Sequence, residues 1–352
     1  MKVAILAESA QAETAAAQQS QREAEAMAKA LESADYQVTI LDTADHLIET
    51  LRAQRPDICC IAPGTRGAQG ELQGMLELVR IPYVGSGSEA SRLANEDQLT
   101  TYVMRRYAEA SEEDLVGEPL ASYYLAPQLL QMDYVEVVSL CEERIPGGYP
   151  FEVCVRAQGG QRTVIKVNDK DSFMQVLAQY AGTKQSDAPG VQQGGAPIEA
   201  SSEVPSDASS IEIAPYGGMT VRQWVEGVRM SVAVLGTGWD AHVLPPAEML
   251  ANDAASTSSE PKWQAPVRLE VLSAVESIAQ AIRSEVERTA FEVCLALGVR
   301  DLALVHVVWD GAQVRLESVD TAPSLLEGSA FDASCKAAGL SLAGVLDRLV
   351  SL

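Results

Sequence analysis

Apolar and polar residues follow two different periods along the first part of the chain, and together they predict alternating strands and helices. Three short apolar runs, typical of strands in a parallel sheet, lie at Val3–Ala7, Gln37–Leu41 and Asp57–Ala62. Three longer segments predicted to be helical lie between and after them, at 12–33, 44–55 and 72–80. This alternation predicts a doubly wound α/β domain over residues 1–92, with a site beyond the strand ends at 7–13 and 62–70.

The rest of the chain predicts two further subdomains, at 93–216 and 217–352. The expected strands are Pro150–Ala157, Arg162–Val167, Met219–Trp224, Met230–Leu235, Leu302–Trp309 and Gln313–Val319, of which the last four are assigned to the final domain. The expected helices are 94–109, 170–180, 269–297 and 341–352. Two polar segments without periodicity interrupt the pattern, and we expect a disordered insertion at 182–215 and a loop at 251–262.

Composition narrows the class of protein. A net charge of −23 and a pI near 4.5 argue against nucleic acid and anionic membranes as partners. No apolar run is long enough to span a bilayer, and Met1-Lys2 leads directly into a strand without a signal-peptide pattern, so we expect a cytoplasmic protein. The six cysteines lack metal-site spacing and fall mostly in apolar runs, which predicts buried free thiols.

A glycine-rich motif at 63–87, PGTRGAQGELQGMLELVRIPYVGSG, carries the most specific information. Its glycines 64, 67 and 70, the LQG at 72–74 and the turn at 82–87 resemble a signature of the D-alanine–D-alanine ligases, a branch of the ATP-grasp enzymes. The segment 224–236 resembles the family's strand pair beside the adenine pocket, and 320–332 resembles its asparagine-threonine-x-proline-glycine segment. The resemblance covers nearly the whole chain and implies an α/β (α+β) fold, in which the doubly wound domain precedes a two-subdomain ATP-grasp module.

The resemblance also implies an activity, because the family uses ATP and two magnesium ions to join a carboxylate to an amine through an acyl phosphate. Carried over to this chain, the family's substrate-ammonium position falls on Glu13 and another catalytic position on Ser324. The family's three metal-ligand positions fall on His306, Ser318 and Asp320, and only Asp320 is a strong magnesium ligand. The adjacent Glu317 is expected to point away from the cleft unless a bulge turns it inward.

The nucleotide-binding positions depart further from the family. Three charged positions of the family fall on residues of different charge: a phosphate-contacting lysine on Cys154, and the carboxylates that hold adenine and ribose on Arg222 and Arg229. Trp224 begins the segment that resembles the adenine pocket. The phosphate loop would lie at Gly159 and Gly160, where a plain hairpin turn is an equal interpretation. Within the motif at 63–87, Pro63 replaces a histidine, Ala68 a glutamate and Gln69 an aspartate.

Three hypotheses follow. In the first, the chain is a catalytically degenerate ligase homologue with no assigned cofactor and a binding or regulatory role, forming a homodimer or pairing with a ligase paralogue through its N-terminal domain. In the second, it is an active D-alanine–D-alanine ligase of cell-wall peptidoglycan synthesis, using ATP and magnesium with Glu317 and Asp320 for metal and Arg162 or Lys166 for phosphate. In the third, the cleft holds a non-nucleotide small molecule, anchored by Glu13 and Asp97.

Overall fold

The computed structural model describes residues 1–9, 15–44, 46–111, 117–156, 162–181, 218–250, 262–264, 267–268 and 272–351. The polar segment at 182–215 and nearly all of that at 251–262 lie outside these ranges. The chain forms two compact units, which we call unit 1 (1–119 and 225–352) and unit 2 (120–224). The division into three parts at 92 and 216 stays a prediction.

The secondary structure consists of the following elements in chain order. The strands are β1 (Lys2–Ala7), β2 (Gln37–Asp42), β3 (Ile58–Ile61), β4 (Tyr83–Val84), β5 (Glu118–Pro119), β6 (Ser122–Leu125), β7 (Phe151–Arg156), β8 (Arg162–Val167), β9 (Met219–Gln223), β10 (Val228–Leu235), β11 (His242–Val243), β12 (Ala247–Leu250), β13 (Lys262–Gln264), β14 (Leu302–Trp309) and β15 (Val314–Asp320). The helices are α1 (Ala15–Glu32), α2 (Leu47–Gln54), α3 (Thr65–Ala68), α4 (Glu71–Val79), α5 (Ser88–Ala94), α6 (Asp97–Ser111), α7 (Tyr134–Arg144), α8 (Lys170–Ala181), α9 (Glu276–Leu297), α10 (Ala330–Ala337) and α11 (Leu342–Val350).

The first sheet of unit 1 is parallel throughout and has the order β2-β1-β3-β4, which confirms the predicted doubly wound arrangement. Successive residues of β1 enter two different cores: Val3 and Ile5 pack in one, Ala4 and Leu6 in the other. Both faces of the strand are therefore buried, which explains its unbroken apolar sequence.

The second sheet of unit 1 is built around β10, β14 and β15, in the order β13-β12-β10-β14-β15-β5. One face carries Val232, Val305 and Val319 and packs in the same core as the buried side of α9. The predicted hairpin of β14 and β15 is confirmed. The helix predicted from 269 instead begins at Glu276, and that predicted at 94–109 corresponds to α6, which begins at Asp97.

Unit 2 is an antiparallel sheet in the order β6-β9-β7-β8, with α7 and α8 on one face. The sequence assigned Met219–Trp224 to the last domain, and this was wrong, because β9 pairs with β6 and β7. The error arose because strand pairing over this distance leaves no local signal in the sequence. Among the described residues, no helix combines the length and apolar character needed to cross a bilayer.

Candidate functional site

The glycines of the motif at 63–87 have packing reasons to be glycine. Gly70 has a φ of 81°, and a Cβ there would lie 2.6 Å from the carbonyl oxygen of Ser88. A Cβ on Gly64 would lie 2.9 Å from the Glu8 carboxylate. The turn at 85–87 is held through the Gly85 amide, which donates to Asp301 at 2.7 Å. The motif can therefore persist for structural reasons, whether or not a ligand binds.

A small cavity of about 30 Å³ lies at the C-terminal ends of β3 and β4, near the site predicted for the first domain. Its walls include Cys60, Pro63, Gln73 and Pro323, and none of its lining side chains is charged. The Gln73 amide nitrogen donates to Gly67 at 2.8 Å, while its buried oxygen accepts no hydrogen bond among the described residues. Such a volume suits one or two waters and is far below the roughly 300 Å³ of a small-molecule site.

Ser324 lies beside this cavity, and its hydroxyl is already engaged. It donates to the carboxylate of Glu23 on α1, which also accepts from the Leu325 amide at 3.0 Å. Glu23 is fully buried, and burial raises its pKa above the usual range, although both hydrogen bonds oppose that shift. Glu23 thus fixes the segment after β15 to the first domain.

The positions matched to the family's metal ligands are His306, Ser318 and Asp320, and they lie on one face of the second sheet. Together with Ser231, these residues form what we call the unit 1 polar face. Ser231 of β10, His306 of β14 and Ser318 of β15 lie side by side in the strand register. Ser231 is buried, and its hydroxyl oxygen lies 2.7 Å from His306 Nδ1. Asp320 follows at the end of β15 and accepts from the Ala322 amide at 2.9 Å, which closes a turn.

A β-bulge in β15 changes the position of Glu317. The register with β14 shifts between His306 and Val307, so Glu317 has no opposite partner of its own. Its carboxylate lies 3.4 Å from Arg229 Nε, and Arg229 shares its face of β10 with Ser231. Glu317 therefore faces the same side as His306 and Ser318. The expectation that it points away is wrong, because the bulge interrupts the two-residue alternation.

Arg222, one of the positions matched to the nucleotide site, belongs to a second polar row, which lies in unit 2. Glu152 of β7 lies between Lys166 of β8 and Arg222 of β9 in the register. The Arg222 guanidinium donates to the Glu152 carboxylate through Nε at 2.8 Å and through Nη2. Both side chains are about 5% exposed, so the pair is buried.

Two further residues of this sheet lie near the Arg222–Glu152 pair in the strand register, Lys166 and Cys154. Lys166 places its ammonium 3.9 Å from the centre of the Trp224 ring, an ordinary cation–π distance. Cys154 is buried and lies opposite Val164 and Thr220. A thiol there supplies no positive charge for a phosphate.

Several predicted residues remain untested or contribute elsewhere. Glu13, Gly159 and Gly160 lie outside the described residues. Arg162 begins β8, but its side chain is outside the described part. Asp97 begins α6, where its carbonyl accepts from the Thr101 hydroxyl at 2.8 Å.

Glu23, Glu152 and Ser231 were missed by the sequence reasoning. Glu23 had a signal, because it lies beside the buried stripe of Ser20, Ala24 and Met27 at helical spacing. Glu152 had a weaker one, as the only charged residue between apolar neighbours in β7. Ser231 had none, because its partner His306 is 75 residues away.

Among the described residues, several side chains at the positions matched to the metal and nucleotide contacts are bonded to other side chains of the chain. Within the described residues, no group of three or more His, Cys, Asp or Glu could hold a metal ion. The carboxylate of Glu317 is paired with a guanidinium, and the imidazole of His306 is a poor ligand for a hard cation. In unit 2, the buried arginine is neutralised by Glu152, so its charge is already compensated.

The sequence is similar to those of D-alanine–D-alanine ligases. Residues 216–351 match the family model described as D-ala D-ala ligase C-terminus. The chain is 25% identical over 324 residues to a D-alanine–D-alanine ligase of Desulforudis audaxviator, covering 91% of this chain and 89% of that protein. It is 26% identical over 323 residues to the ligase of Gloeobacter violaceus, covering 91% and 89%.

Solved structures agree on the fold. The D-alanine–D-alanine ligase of Bacillus anthracis complexed with ATP matches with a TM-score of 0.70 at 17% identity, covering 100% of this chain and 96% of that one. The ligase of Coxiella burnetii matches with a TM-score of 0.66 at 17% identity, covering 100% and 94%. These likenesses show the α/β fold with an ATP-grasp arrangement.

Proposed function

Because the chain belongs to the D-alanine–D-alanine ligase family of ATP-grasp proteins, we propose that it is a homologue that has lost ligation and has a binding or regulatory role. The observation that carries the proposal is the internal pairing of side chains at the family's functional positions. Arg222 is paired with Glu152, Arg229 with Glu317, and Ser324 with Glu23.

The physical reason lies in charge compensation. Phosphoryl transfer requires cations placed around the transferred group and metal ions that bridge its oxygens. Here the position that the resemblance matches to a lysine is the buried thiol of Cys154, and the buried guanidinium of Arg222 is bound by a carboxylate. To recruit Arg222, a nucleotide would have to break its buried ion pair with Glu152, and breaking such a pair costs about 3–5 kcal/mol.

An ADP-release assay tests the proposal directly. Purified protein is incubated with ATP, magnesium and D-alanine, and we expect no ADP above the level without D-alanine. D-alanine-dependent turnover of about 1 s⁻¹ or faster would refute the proposal. The double variant E317A/D320A is the matched control, because traces of a contaminating ligase would release ADP at the same rate in both preparations.

A second candidate, the active ligase, is favoured by one observation. The bulge brings Glu317 to the face that carries Asp320, so two carboxylates share that side of β15. In this alternative, they would hold magnesium after Arg229 releases Glu317. Titration of the protein with ATP and magnesium in a calorimeter distinguishes the two: saturable heat that disappears in E317A supports the ligase.

A regulatory role also requires a partner, and we propose a second copy of the chain or a ligase paralogue, joined through the N-terminal domain. Leu78 on α4 supports this surface, since its side chain is 86% exposed in that domain. Light scattering during size-exclusion chromatography should give a dimer for the wild type and a monomer for L78E. A monomeric wild type would exclude self-pairing, and a mixture with the paralogue would then test the other partner.

A further inference from the structure

The chain passes between the two units at two places, and one strand anchors both. It leaves unit 1 after Pro119 and returns at Val225. The first crossing follows β5, which pairs in parallel with β15. The second immediately precedes β10, whose Arg229 contacts β15. Both anchors fall within three residues of β15, from Arg315 to Glu317.

At the returning crossing, the guanidinium of Arg229 contacts both the backbone of Val225 and the side chain of Glu317. Arg229 donates through Nη2 to the carbonyl oxygen of Val225 at 3.2 Å and through Nε to Glu317 at 3.4 Å. The side chains of Arg229 and Glu317 are 18% and 13% exposed, so solvent screens their attraction only in part. Glu317 thus orients the arginine that holds the first residue of unit 1 after the crossing.

The backbone beside this contact has little freedom. A Cβ on Gly227 would lie 2.1 Å from the carbonyl oxygen of Trp309, so the chain lies directly against the end of β14. At the departing crossing, Arg315 donates to Glu118 at 2.7 Å, and Gly117, with a φ of 64°, packs on Thr289. Close packing therefore fixes the positions of both crossings, and ion pairs hold them there.

We propose that Glu317 controls a latch on the returning crossing: any group that draws its carboxylate away from Arg229 frees the Val225 carbonyl and loosens residues 224–228. The unit 1 polar face places Ser231, His306 and Ser318 on the same side as Glu317. A ligand bound to that face and contacting Glu317 would loosen the crossing without touching it. The latch does not depend on whether the protein is a ligase.

Hydrogen–deuterium exchange of the peptide 224–229 tests the latch. In E317Q and in R229Q, we expect exchange in this peptide to rise about fivefold or more, and the double variant to add little, because both changes break one contact. E71Q is the control, since it disrupts another carboxylate–arginine pair of unit 1, that of Glu71 with Arg66 at 3.1 Å, which lies on α3 and α4 and not on β10, β14 or β15. Peptides from α9 report global opening.

Two outcomes would overturn the proposal: unchanged exchange at 224–229 in E317Q, or an equal rise in E71Q. If E317Q does not fold, the wild type is compared at about 0.05 M and about 1 M sodium chloride, where the screening length falls to about 3 Å. The latch predicts faster exchange at 224–229 in high salt with α9 unchanged. Equal exchange at both salt concentrations would also overturn it.

Discussion

Arg222 and Glu152 form a buried ion pair across β9 and β7, with Nε of the arginine 2.8 Å from the carboxylate. Removal of one partner leaves the other charged in a place that water does not reach. We expect E152A to lower the free energy of unfolding by about 3–5 kcal/mol, measured by chemical denaturation.

The double variant E152M/R222M separates pairing from packing. Because the two methionines leave no buried charge, we expect it to be at least as stable as E152A and close to the wild type. E109Q is the exposed control, since its pair with Arg106 is more than 60% exposed and should contribute nothing measurable. Equal losses in E152A and the double variant would show that packing, and not charge, dominates the site.

Two glycines should respond to alanine with opposite signs. Gly227 has no room for a Cβ, because the Trp309 carbonyl oxygen would lie 2.1 Å away, so G227A should destabilise by about 2 kcal/mol or more. Gly74 lies inside α4, where a Cβ meets only the Ser88 side chain at 3.6 Å. G74A should therefore stabilise by about 0.5–1 kcal/mol. Thermal unfolding of both variants checks the pair, and a loss of stability in G74A would mean that this motif position is under a further constraint.

The sequence could predict the parts of the fold that have a local cause. The parallel strands of the first domain are continuous apolar runs, and the hairpin of β14 and β15 is interrupted by Asp310-Gly311, so both are readable from the chain. The placement of β9 was not readable, because its partners β6 and β7 are more than 60 residues away.

The site was predictable only as a set of positions. Arg222 and Arg229 could be named from the resemblance, but not their partners Glu152 and Glu317, since cross-strand register and a bulge decide those contacts. In VRLESVD, apolar and polar residues alternate except at Glu317 and Ser318, and this break coincides with the bulge. The break does not tell which residue Glu317 contacts.

Glu23 should make stability depend on pH. Its pKa is raised by burial from the ordinary 4.5, so the folded state holds its proton at pH values where the unfolded chain has lost it. The stability from this group is fully present below pH 4.5 and is lost as pH rises through the raised pKa. In E23Q, which cannot titrate there, this loss is absent.

The wild type and E23Q are therefore compared by urea denaturation between about pH 5 and about pH 8, where we expect any advantage of the wild type to shrink as pH rises. Loss of the Ser324 and Leu325 contacts alone would displace the two curves by a constant amount. Parallel curves would thus contradict a raised pKa while leaving the hydrogen bonds in place.

The cysteine thiols should be unreactive in the folded protein because they are buried. All six cysteines are free and buried. For Cys59, Cys60, Cys141, Cys294 and Cys335, desolvation raises the pKa to about 12. The thiolate is the species that attacks a disulfide reagent, so a buried thiol with so high a pKa is nearly inert near pH 8. We expect Ellman's reagent to titrate less than one thiol in the native protein within minutes, and six after denaturation without reductant. Rapid reaction of one or more thiols in the native protein would mean that a strand or helix covering them opens readily, and mapping the labelled residue would identify which element moves.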